Sequence, residues 1–332
     1  MYRQVKGGES LKTKEVILSF LSSRIKSLFY HIPEEEFEKI YEIRLRVNKP
    51  LILLKEGQYY FVRSDGYLTK KLEQAFIVIQ KDIIDTAQLM SDYSMYALEQ
   101  ELKNGYITLQ GGHRVGITGK VVIEKGVIKT IKYFGAMNIR ISHQIIDCAR
   151  ELFPHIINGE NINHTLIISP PGCGKTTMLR DLIRLVSDGV ENLFSGITVG
   201  VVDERSEIGG CYQGIPQNNV GIKTDVLDGC PKAEGMRMLL RSMSPRVIAV
   251  DEIGKMEDIF AIEDVMNAGV KLICTVHGSS LADIQRKPVL SELINKKIFE
   301  RFVVLSNRKG PGTVEDIIDG INLNSLMKGR EL

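Results

Sequence analysis

Residues 169–177 read SPPGCGKTT, and this stretch decides the fold of the second half of the chain. It follows the apolar run TLIIS (165–169) and leads into TTMLRDLIRLV, whose apolar spacing is typical of an amphipathic helix. A glycine-rich turn between a buried strand and a helix is the context of a phosphate-binding loop, or P-loop. The sequence therefore predicts a nucleotide-binding α/β domain.

The residue types in this loop fit phosphate chemistry. Gly172 and Gly174 let the backbone curl, so that successive N–H groups point into one concavity and bind phosphate oxygens. Lys175 is expected to neutralise the β- and γ-phosphates, and Thr176 to offer a hydroxyl ligand to Mg²⁺. The predicted ligands are thus ATP and Mg²⁺. The predicted phosphate-binding residues are Pro171, Gly172, Cys173, Gly174, Lys175, Thr176 and Thr177.

Two positions of the loop need comment. Ser169 replaces the first glycine of the pattern G-x-x-x-x-G-K-[ST], a position that serves the turn more than the chemistry. Cys173 is interpreted as a small side chain at a variable position. The alternative is a thiol activated by Lys175 and the neighbouring N–H groups.

A pair of carboxylates ends the apolar strand RVIAVDEIG (246–254), which is a Walker B pattern. Asp251 is expected to hold Mg²⁺, usually through water. Glu252 is expected to orient the attacking water or to accept its proton. The alternative is that the two carboxylates cap the next helix.

Two further strands end in polar residues between and after these motifs. In VGVVDERSEIGG (199–210), the acids Asp203, Glu204 and Glu207 either face the nucleotide or cap strands and helices. His277 ends the strand of KLICTVHGSS (271–280), at the sheet edge where ligands bind in such folds. It is either a sensor of the γ-phosphate or a structural histidine. The residues proposed to be catalytic within this half are Glu252, Glu204, Lys175 and His277.

The pattern of apolar segments along the chain predicts two domains. From His164 onward, apolar strands alternate with helices, which indicates a parallel sheet covered on both faces. We predict a P-loop (RecA-like) domain over 158–332.

The first half has a helical pattern over 11–30, a predicted helix over 95–103 and predicted paired strands in the glycine-rich stretch 111–133. Residues 1–157 are predicted to form a smaller α+β domain with this helical start and a mixed sheet. Its last elements would be a helix over 144–153 and a boundary loop over 155–163.

Composition excludes some functions. The net charge is only +2 over 332 residues, which gives no case for nucleic acid as a partner or for broad binding to anionic lipid. Five cysteines and six histidines form no metal-binding pattern, and reduced thiols are expected. The first residues lack the apolar core of a secretory signal, so we expect a cytoplasmic protein.

Four motifs in this order resemble those of the secretion-superfamily ATPases, which power type II and type IV secretion and pilus machines. SPPGCGKTT resembles their Walker A motif, VVDERSE their Asp box and AGVKLICTVHGSS (268–280) their His box. LLRSMSPRVIAVDEIG (239–254) resembles their arginine-containing helix and Walker B motif, and EIRLRVNKPLIL (42–53) a strand of their small amino-terminal domain. The resemblance implies Mg-ATP hydrolysis by a homo-oligomer, a hexameric ring.

Within that superfamily, GGHRVGITGK (111–120) and the long stretch 214–254 resemble a branch that acts in endospore formation. This resemblance implies an ATPase on the mother-cell side of a channel to the forespore, docked on integral membrane components. It also implies that Arg114 and Arg140 reach a neighbour's nucleotide, where an arginine stabilises charge on the transferred phosphoryl group. The alternative is that both are ordinary surface arginines. Arg241 and Arg205 are further candidates.

Three functions compete at this point. The first is a motor or assembly ATPase that powers or builds a membrane channel. The second is a nucleotide-gated scaffold or switch with slow hydrolysis. The third, a nucleic-acid translocase, is disfavoured because the chain is nearly neutral and has no tryptophan for base stacking.

Overall fold

The computed structural model describes residues 13–92, 94, 99–103 and 105–327. Its contacts divide the chain into two units, Met1–His143 and Gln144–Leu332. This division lies 14 residues before the predicted boundary at 157. The reason is burial, because Ala149, Phe153 and Ile156 belong to the hydrophobic core of the second unit.

The first unit joins short helices to an antiparallel sheet. Its helices are α1 (Thr13–Ser19), α2 (Ser23–Leu28), α3 (Glu34–Phe37), α4 (Gln80–Met90) and α5 (Glu99–Lys103), with a 3₁₀ turn at Leu72–Gln74. Its strands are β1 (Ile40–Arg46), β2 (Lys49–Pro50), β3 (Ile52–Lys55), β4 (Gln58–Val62), β5 (Leu68–Thr69), β6 (Ile77–Val78), β7 (Tyr106–Leu109), β8 (His113–Glu124) and β9 (Val127–Arg140).

The main sheet of this unit has the order β5-β4-β3-β1-β9-β8-β7, and a separate small ladder joins β2 to β6. Alternate residues of the central strands, such as Ile43, Val115 and Ile139, are fully buried. Helices α1 and α2 contribute Ile17, Ile25 and other apolar residues to the same core. One face of the sheet is therefore packed, as is usual for antiparallel sheets.

Predictions for this unit hold in part. The helical pattern over 11–30 is broken at Ser22, whose hydroxyl accepts the N–H of Ile25 and starts a second helix. The expected helix over 95–103 lies partly outside the described residues, and its described part is α5. The paired strands predicted from the glycine-rich stretch are confirmed as β8 and β9.

The second unit is built from alternating strands and helices. Its helices are α6 (Phe153–Ile156), α7 (Lys175–Asp188), α8 (Lys232–Ser242), α9 (Met256–Asn267), α10 (Leu281–Gln285) and α11 (Pro288–Asn295). Its strands are β10 (Ile157–Asn158), β11 (Asn161–Ile162), β12 (Thr165–Ser169), β13 (Val199–Asp203), β14 (Thr224–Asp228), β15 (Val247–Val250), β16 (Lys271–His277), β17 (Arg301–Ser306) and β18 (Thr313–Asp319).

Its sheet has the order β14-β13-β15-β16-β12-β17-β18, and every pairing except that of β17 with β18 is parallel. Neighbouring residues of one strand point into different layers. Ile167 packs with α7 on one side, and Ile168 packs with α9 and α11 on the other. This is the predicted parallel sheet covered on both faces, and the P-loop strand β12 lies near its centre.

Two predictions for this unit are wrong. Residues 144–152 form irregular chain and turns, and only Phe153, which begins α6, is helical, because the N–H of Ala149 donates to the Asp181 carboxylate of α7, 2.8 Å away. Asp147 in this turn has a left-handed backbone with φ of 64° and pairs with Arg184. The expected loop over 155–163 holds the end of α6 and the small hairpin β10–β11.

Candidate functional site

The predicted phosphate loop connects β12 to α7, which begins at Lys175. Gly172 and Gly174 have φ of 74° and 80°, a left-handed backbone that side chains with a Cβ rarely adopt. A Cβ on Gly174 would also lie 2.9 Å from the backbone nitrogen of Gly312. The loop therefore has the curled backbone and the helix N-terminus that an anionic phosphate requires.

Ser169, the one departure from the usual pattern, is fully buried at the end of β12. Its backbone has no positive φ, and its carbonyl oxygen accepts the N–H of Gly278 at 3.2 Å. Since this position is ordinary strand, it does not require glycine. The serine costs the loop nothing in backbone strain.

The two predicted magnesium ligands lie in contact. Thr176 Oγ1 donates a hydrogen bond to Asp251 Oδ2 at 2.8 Å. The second carboxylate oxygen, Oδ1, accepts a hydrogen bond from the hydroxyl of Thr275. A hydroxyl beside a carboxylate matches the oxygen donors that Mg²⁺ prefers, so these residues fit the ion.

Four predicted residues meet at the Glu252 carboxylate. Lys175 Nζ lies 2.9 Å from Oε1, and His277 Nε2 lies 2.8 Å from the same oxygen. Arg205 Nη1 binds the other oxygen, Oε2, at 2.8 Å. Burial acts to raise the pKa of Glu252, but the hydrogen bond and charge of Lys175, with His277 and Arg205, lower it overall. This carboxylate is therefore ionised and held by three cationic or polar groups.

The backbone of Glu252 is itself unusual. Its φ of 57° is left-handed, which for a non-glycine residue costs on the order of 1–3 kcal/mol. Its N–H donates to Thr275 Oγ1 at 2.9 Å, and the N–H of Ile253 donates to the Thr275 carbonyl at 2.9 Å. Thr275 thus holds the strained turn that places Glu252 opposite Lys175.

Thr275 was not predicted as a site residue, although the sequence carries a signal for it. It is the polar residue inside the otherwise apolar strand KLICTVH, two positions before His277. A buried hydroxyl in such a strand needs partners. Its partners here are the carboxylate of Asp251 and the backbone of Glu252.

A charged cavity of about 450 Å³ opens beside Glu252. Glu204, predicted to be catalytic, lines it and pairs with Lys232 of α8. The groups of the lining that carry charge or accept a proton are Glu204, Arg205, Lys232, Glu252, Lys255, Asp258, His277 and Lys287. A cavity that presents both cations and carboxylates suits an anionic ligand and a water molecule beside it.

Asp203 has a different role from its neighbours. Its carboxylate is 2% exposed and accepts the N–H groups of Glu207, Ile208 and Gly209 at 2.8–2.9 Å. The capping alternative is therefore the one that the structure supports for this residue, although what it caps is the turn that follows β13. Burial raises the pKa of Asp203 to about 6, although the three N–H donors act to lower it.

This raised pKa predicts a pH dependence of stability. The folded state binds the Asp203 proton more tightly than the unfolded chain, so rising pH between about 4 and 6 removes stability, up to about 3 kcal/mol. Asp203→Asn has no such proton. We expect the melting temperature of the wild type to fall relative to that of the variant across this window and to change no further above it. If the melting temperatures of the wild type and of Asp203→Asn differ by the same amount at every pH from 4 to 7, the assignment of the raised pKa to Asp203 is contradicted.

The hairpin of β17 and β18 also touches the phosphate loop, which the sequence did not predict. The N–H of Gly312 donates to the carbonyl of Cys173 at 2.9 Å. The Cys173 side chain is 4% exposed, which agrees with its interpretation as a small filler. The stretch KGPG (309–312) predicts a turn. It does not predict the contact with Cys173, because the two segments are far apart in the sequence.

The predicted arginines of the first unit lie side by side on its sheet. Arg114 and Arg140 are cross-strand partners, and Arg140 is also opposite Glu42, whose Oε1 is 3.6 Å from its Nε. The Arg114 guanidinium lies 3.5 Å from the centre of the Tyr106 ring. Their role at a neighbour's nucleotide stays a prediction. Arg241 is exposed near the end of α8 and makes no ion pair with Asp251 or Glu252.

No helix within residues 13–92, 94, 99–103 and 105–327 is both long and apolar enough to cross a membrane.

Solved structures share this fold. The ATPase DotB of Yersinia pseudotuberculosis matches with a TM-score of 0.55 and 14% identity, over 87% of this chain and 78% of that one. The pilus retraction motor PilT, solved with bound ADP, matches with a TM-score of 0.54 and 16% identity, over 81% of this chain and 75% of that one. The predicted RecA-like P-loop fold is confirmed, and identities this low show the fold alone.

Similarity in sequence identifies the family as well as the fold. Stage III sporulation protein AA of Bacillus subtilis (strain 168) is 44% identical over 303 residues, which cover 91% of this chain and 94% of that protein. The model of the family described as "Sporulation stage III, protein AA" matches residues 11–323. The predicted resemblance to a sporulation family is confirmed, and the fold of the chain is the one that DotB and PilT share. With a P-loop fold, a match along almost its whole length and a close relative of that name, the chain belongs to the family Sporulation stage III, protein AA.

Proposed function

We propose that this chain binds and hydrolyses Mg-ATP. The observation that carries the proposal is the meeting of Lys175, Thr176, Asp251 and Glu252 at the N-terminus of α7. A phosphate cradle, a pair of oxygen donors suited to Mg²⁺ and a carboxylate able to orient water are the parts that phosphoryl transfer to water needs.

Each group has a distinct task in this proposal. The loop N–H groups and the N-terminus of α7 hold the phosphates, and Lys175 supplies the positive charge nearest to them. Thr176 and Asp251 would hold Mg²⁺. When bound, Mg²⁺ neutralises charge on the phosphate oxygens. Lys175 is only 6% exposed, so its charge acts with little screening by water.

Glu252 must change partners before it can act on water. It is now bound to Lys175, Arg205 and His277. A bound phosphate competes for Lys175, which frees one acceptor position of Oε1, beside the contact with His277, for a hydrogen bond from the attacking water. Since its pKa is lowered, we assign Glu252 mainly the task of orienting that water. His277, which contacts the same carboxylate, then acts as the sensor of the bound phosphate.

The cellular role is proposed from family membership. A member of a sporulation stage III family with the fold of secretion ATPases is well suited to power or assemble a membrane channel from mother cell to forespore. We propose a homo-oligomer, a ring of about six subunits, that is cytoplasmic and docks peripherally on integral membrane components. Arg114 and Arg140 are its candidate trans-acting groups.

The solution mass of Glu252→Gln tests this proposal, because the variant should bind Mg-ATP without consuming it. We expect light scattering to show a shift from a small species to a ring when Mg-ATP is added. The wild type should release phosphate from Mg-ATP under the same conditions. A mass unchanged by bound nucleotide, together with background phosphate release, would overturn the motor proposal.

One observation favours the second candidate, a nucleotide-gated scaffold with slow hydrolysis. The carboxylate that should orient water is fully engaged by Lys175, Arg205 and His277. If these contacts persist with ATP bound, turnover stays near background while the conformation still depends on the nucleotide. Affinity for the membrane partner that changes with nucleotide, at background turnover, would support this function.

A further inference from the structure

Strands β8 and β9 extend beyond the sheet of the first unit. The neighbour β7 pairs with β8 only as far as Gly116, and the neighbour β1 pairs with β9 only from Ala136 onward. Past these points the two strands pair, among the described residues, only with each other, ending at the pair Glu124–Val127. We call residues 119–134 the arm. Six residues of extended strand correspond to about 20 Å of reach.

One face of the arm is apolar and exposed. Cross-strand partners share a face, and alternate pairs return to it. Val121 pairs with Ile131, and two residues further Ile123 pairs with Ile128, so all four side chains lie on one face. Val121 and Ile128 are 44% exposed and Ile123 is 66% exposed. Clustered β-branched residues in water indicate a binding surface.

More apolar groups are exposed on the rest of the arm. Val127 at the tip is 67% exposed, and Tyr133 near the base is 79% exposed. A groove of about 920 Å³ runs along the arm and is lined by Val122, Ile131 and Phe134, among others. The apolar surface therefore extends over the length of the arm.

The arm is also basic, unlike the chain as a whole. It contains four lysines and one glutamate, a net charge of +3, whereas the whole chain has a net charge of +2. The glutamate is paired within the arm, because Glu124 lies 2.5 Å from Lys129 Nζ. The lysines are Lys120, Lys125, Lys129 and Lys132.

The edges of the arm are poorly suited to adding another strand. The ladder is interrupted by bulges between Thr118 and Lys120 and between Val122 and Ile123. Bulges and lysines at a sheet edge are the features that block edge-to-edge pairing. The arm is therefore more suited to binding through its face than through its backbone.

We propose that the arm binds the surface of an anionic lipid bilayer. Apolar side chains of interfacial elements enter the boundary between headgroups and acyl chains by about 5–10 Å. Lysines beside them gain from anionic headgroups, and a tyrosine is favoured at that depth. The unpaired backbone of a hairpin keeps it out of the hydrocarbon interior. The near-neutral charge of the whole chain gave no sign of this, because the positive charge of the arm is offset elsewhere: the arm has a net charge of +3 and the rest of the chain a net charge of −1. The inference goes beyond ATP hydrolysis and does not depend on it.

Vesicle flotation of the full chain tests the proposal. We expect binding to vesicles of phosphatidylglycerol and phosphatidylcholine, and little binding to phosphatidylcholine alone. Changing Lys120, Lys125 and Lys132 to Gln should weaken binding about 100-fold, since each lysine near the surface contributes about fivefold. Ile123→Thr with Ile128→Thr keeps β-branched residues in the strands and should weaken binding at least about tenfold.

Matched controls come from exposed residues elsewhere. Lys71→Gln with Lys81→Gln and, separately, Ile222→Thr should leave vesicle binding unchanged. Phosphate release without vesicles reports that the arm variants are folded, and it separates this proposal from the previous one. Equal binding to both kinds of vesicle, or full binding by the arm variants, would overturn it. So would loss of the Mg-ATP-dependent ring in the arm variants with unchanged vesicle binding, which would make the arm a contact between copies.

Discussion

Glu252→Gln is expected to lower the rate of phosphate release by about 10²–10⁴-fold, the usual contribution of a positioned acid–base group. The amide is almost isosteric with the carboxylate but loses its charge and half of its acceptor capacity. Affinity for ATP should be kept or improved, because Lys175 no longer has to leave an ionised partner 2.9 Å away. Single-turnover phosphate release and nucleotide titration measure the two effects separately.

Glu263→Gln is a suitable control for this variant. Glu263 is a partly exposed glutamate of α9 that pairs with Lys296, well outside the cluster around Glu252. Its replacement removes a surface ion pair of the kind that contributes about 0–1 kcal/mol, and turnover should be unchanged. Turnover of Glu252→Gln within a few-fold of the wild type would remove Glu252 from the mechanism.

Lys175→Met should weaken binding of both ADP and ATP by about 100-fold, because a charged hydrogen bond to phosphate contributes up to about 3 kcal/mol. Methionine keeps most of the length of the buried side chain, so the pocket stays filled. Glu252 retains Arg205 and His277 as partners, and the fold should survive. Isothermal titration with each nucleotide measures the loss.

The control for this variant is Lys296→Met, which removes a lysine that is 47% exposed and paired with Glu263 and Glu292. It should bind nucleotides like the wild type. Unchanged ADP affinity in Lys175→Met would mean that the loop does not hold phosphate, and would exclude both the ATPase and the nucleotide-gated scaffold.

The core of the site was predictable because each part is contiguous in sequence. Strand, loop and helix around Lys175 occur in one stretch, and Asp251 and Glu252 follow directly from an apolar strand. Parallel strands bring their carboxyl ends to one edge, so the loop and the carboxylates had to be neighbours. His277 was placed by the same argument.

Roles that depend on long-range partners were not predictable. Whether Asp203 faces a ligand or caps a turn depends on the path of residues 207–209, which no local pattern specifies. The helical pattern over 144–153 was overridden by Asp181, a residue more than thirty positions away. The polar edge strands β14 and β18 were missed because their exposed positions dilute the apolar signal.

Because Gly312 contacts Cys173, the phosphate loop is held from both sides, by the strand β16 and by the hairpin of β17 and β18. On one side of β12 lies β16, which carries Thr275 and His277, and on the other lies β17, whose hairpin reaches back to the loop. A loop braced on both flanks has little freedom to open or tighten by itself. A shift of Cys173 on nucleotide binding would therefore also move Gly312. The conformation of the β17–β18 hairpin, at the edge of the sheet, should then differ between the nucleotide-bound and the nucleotide-free protein.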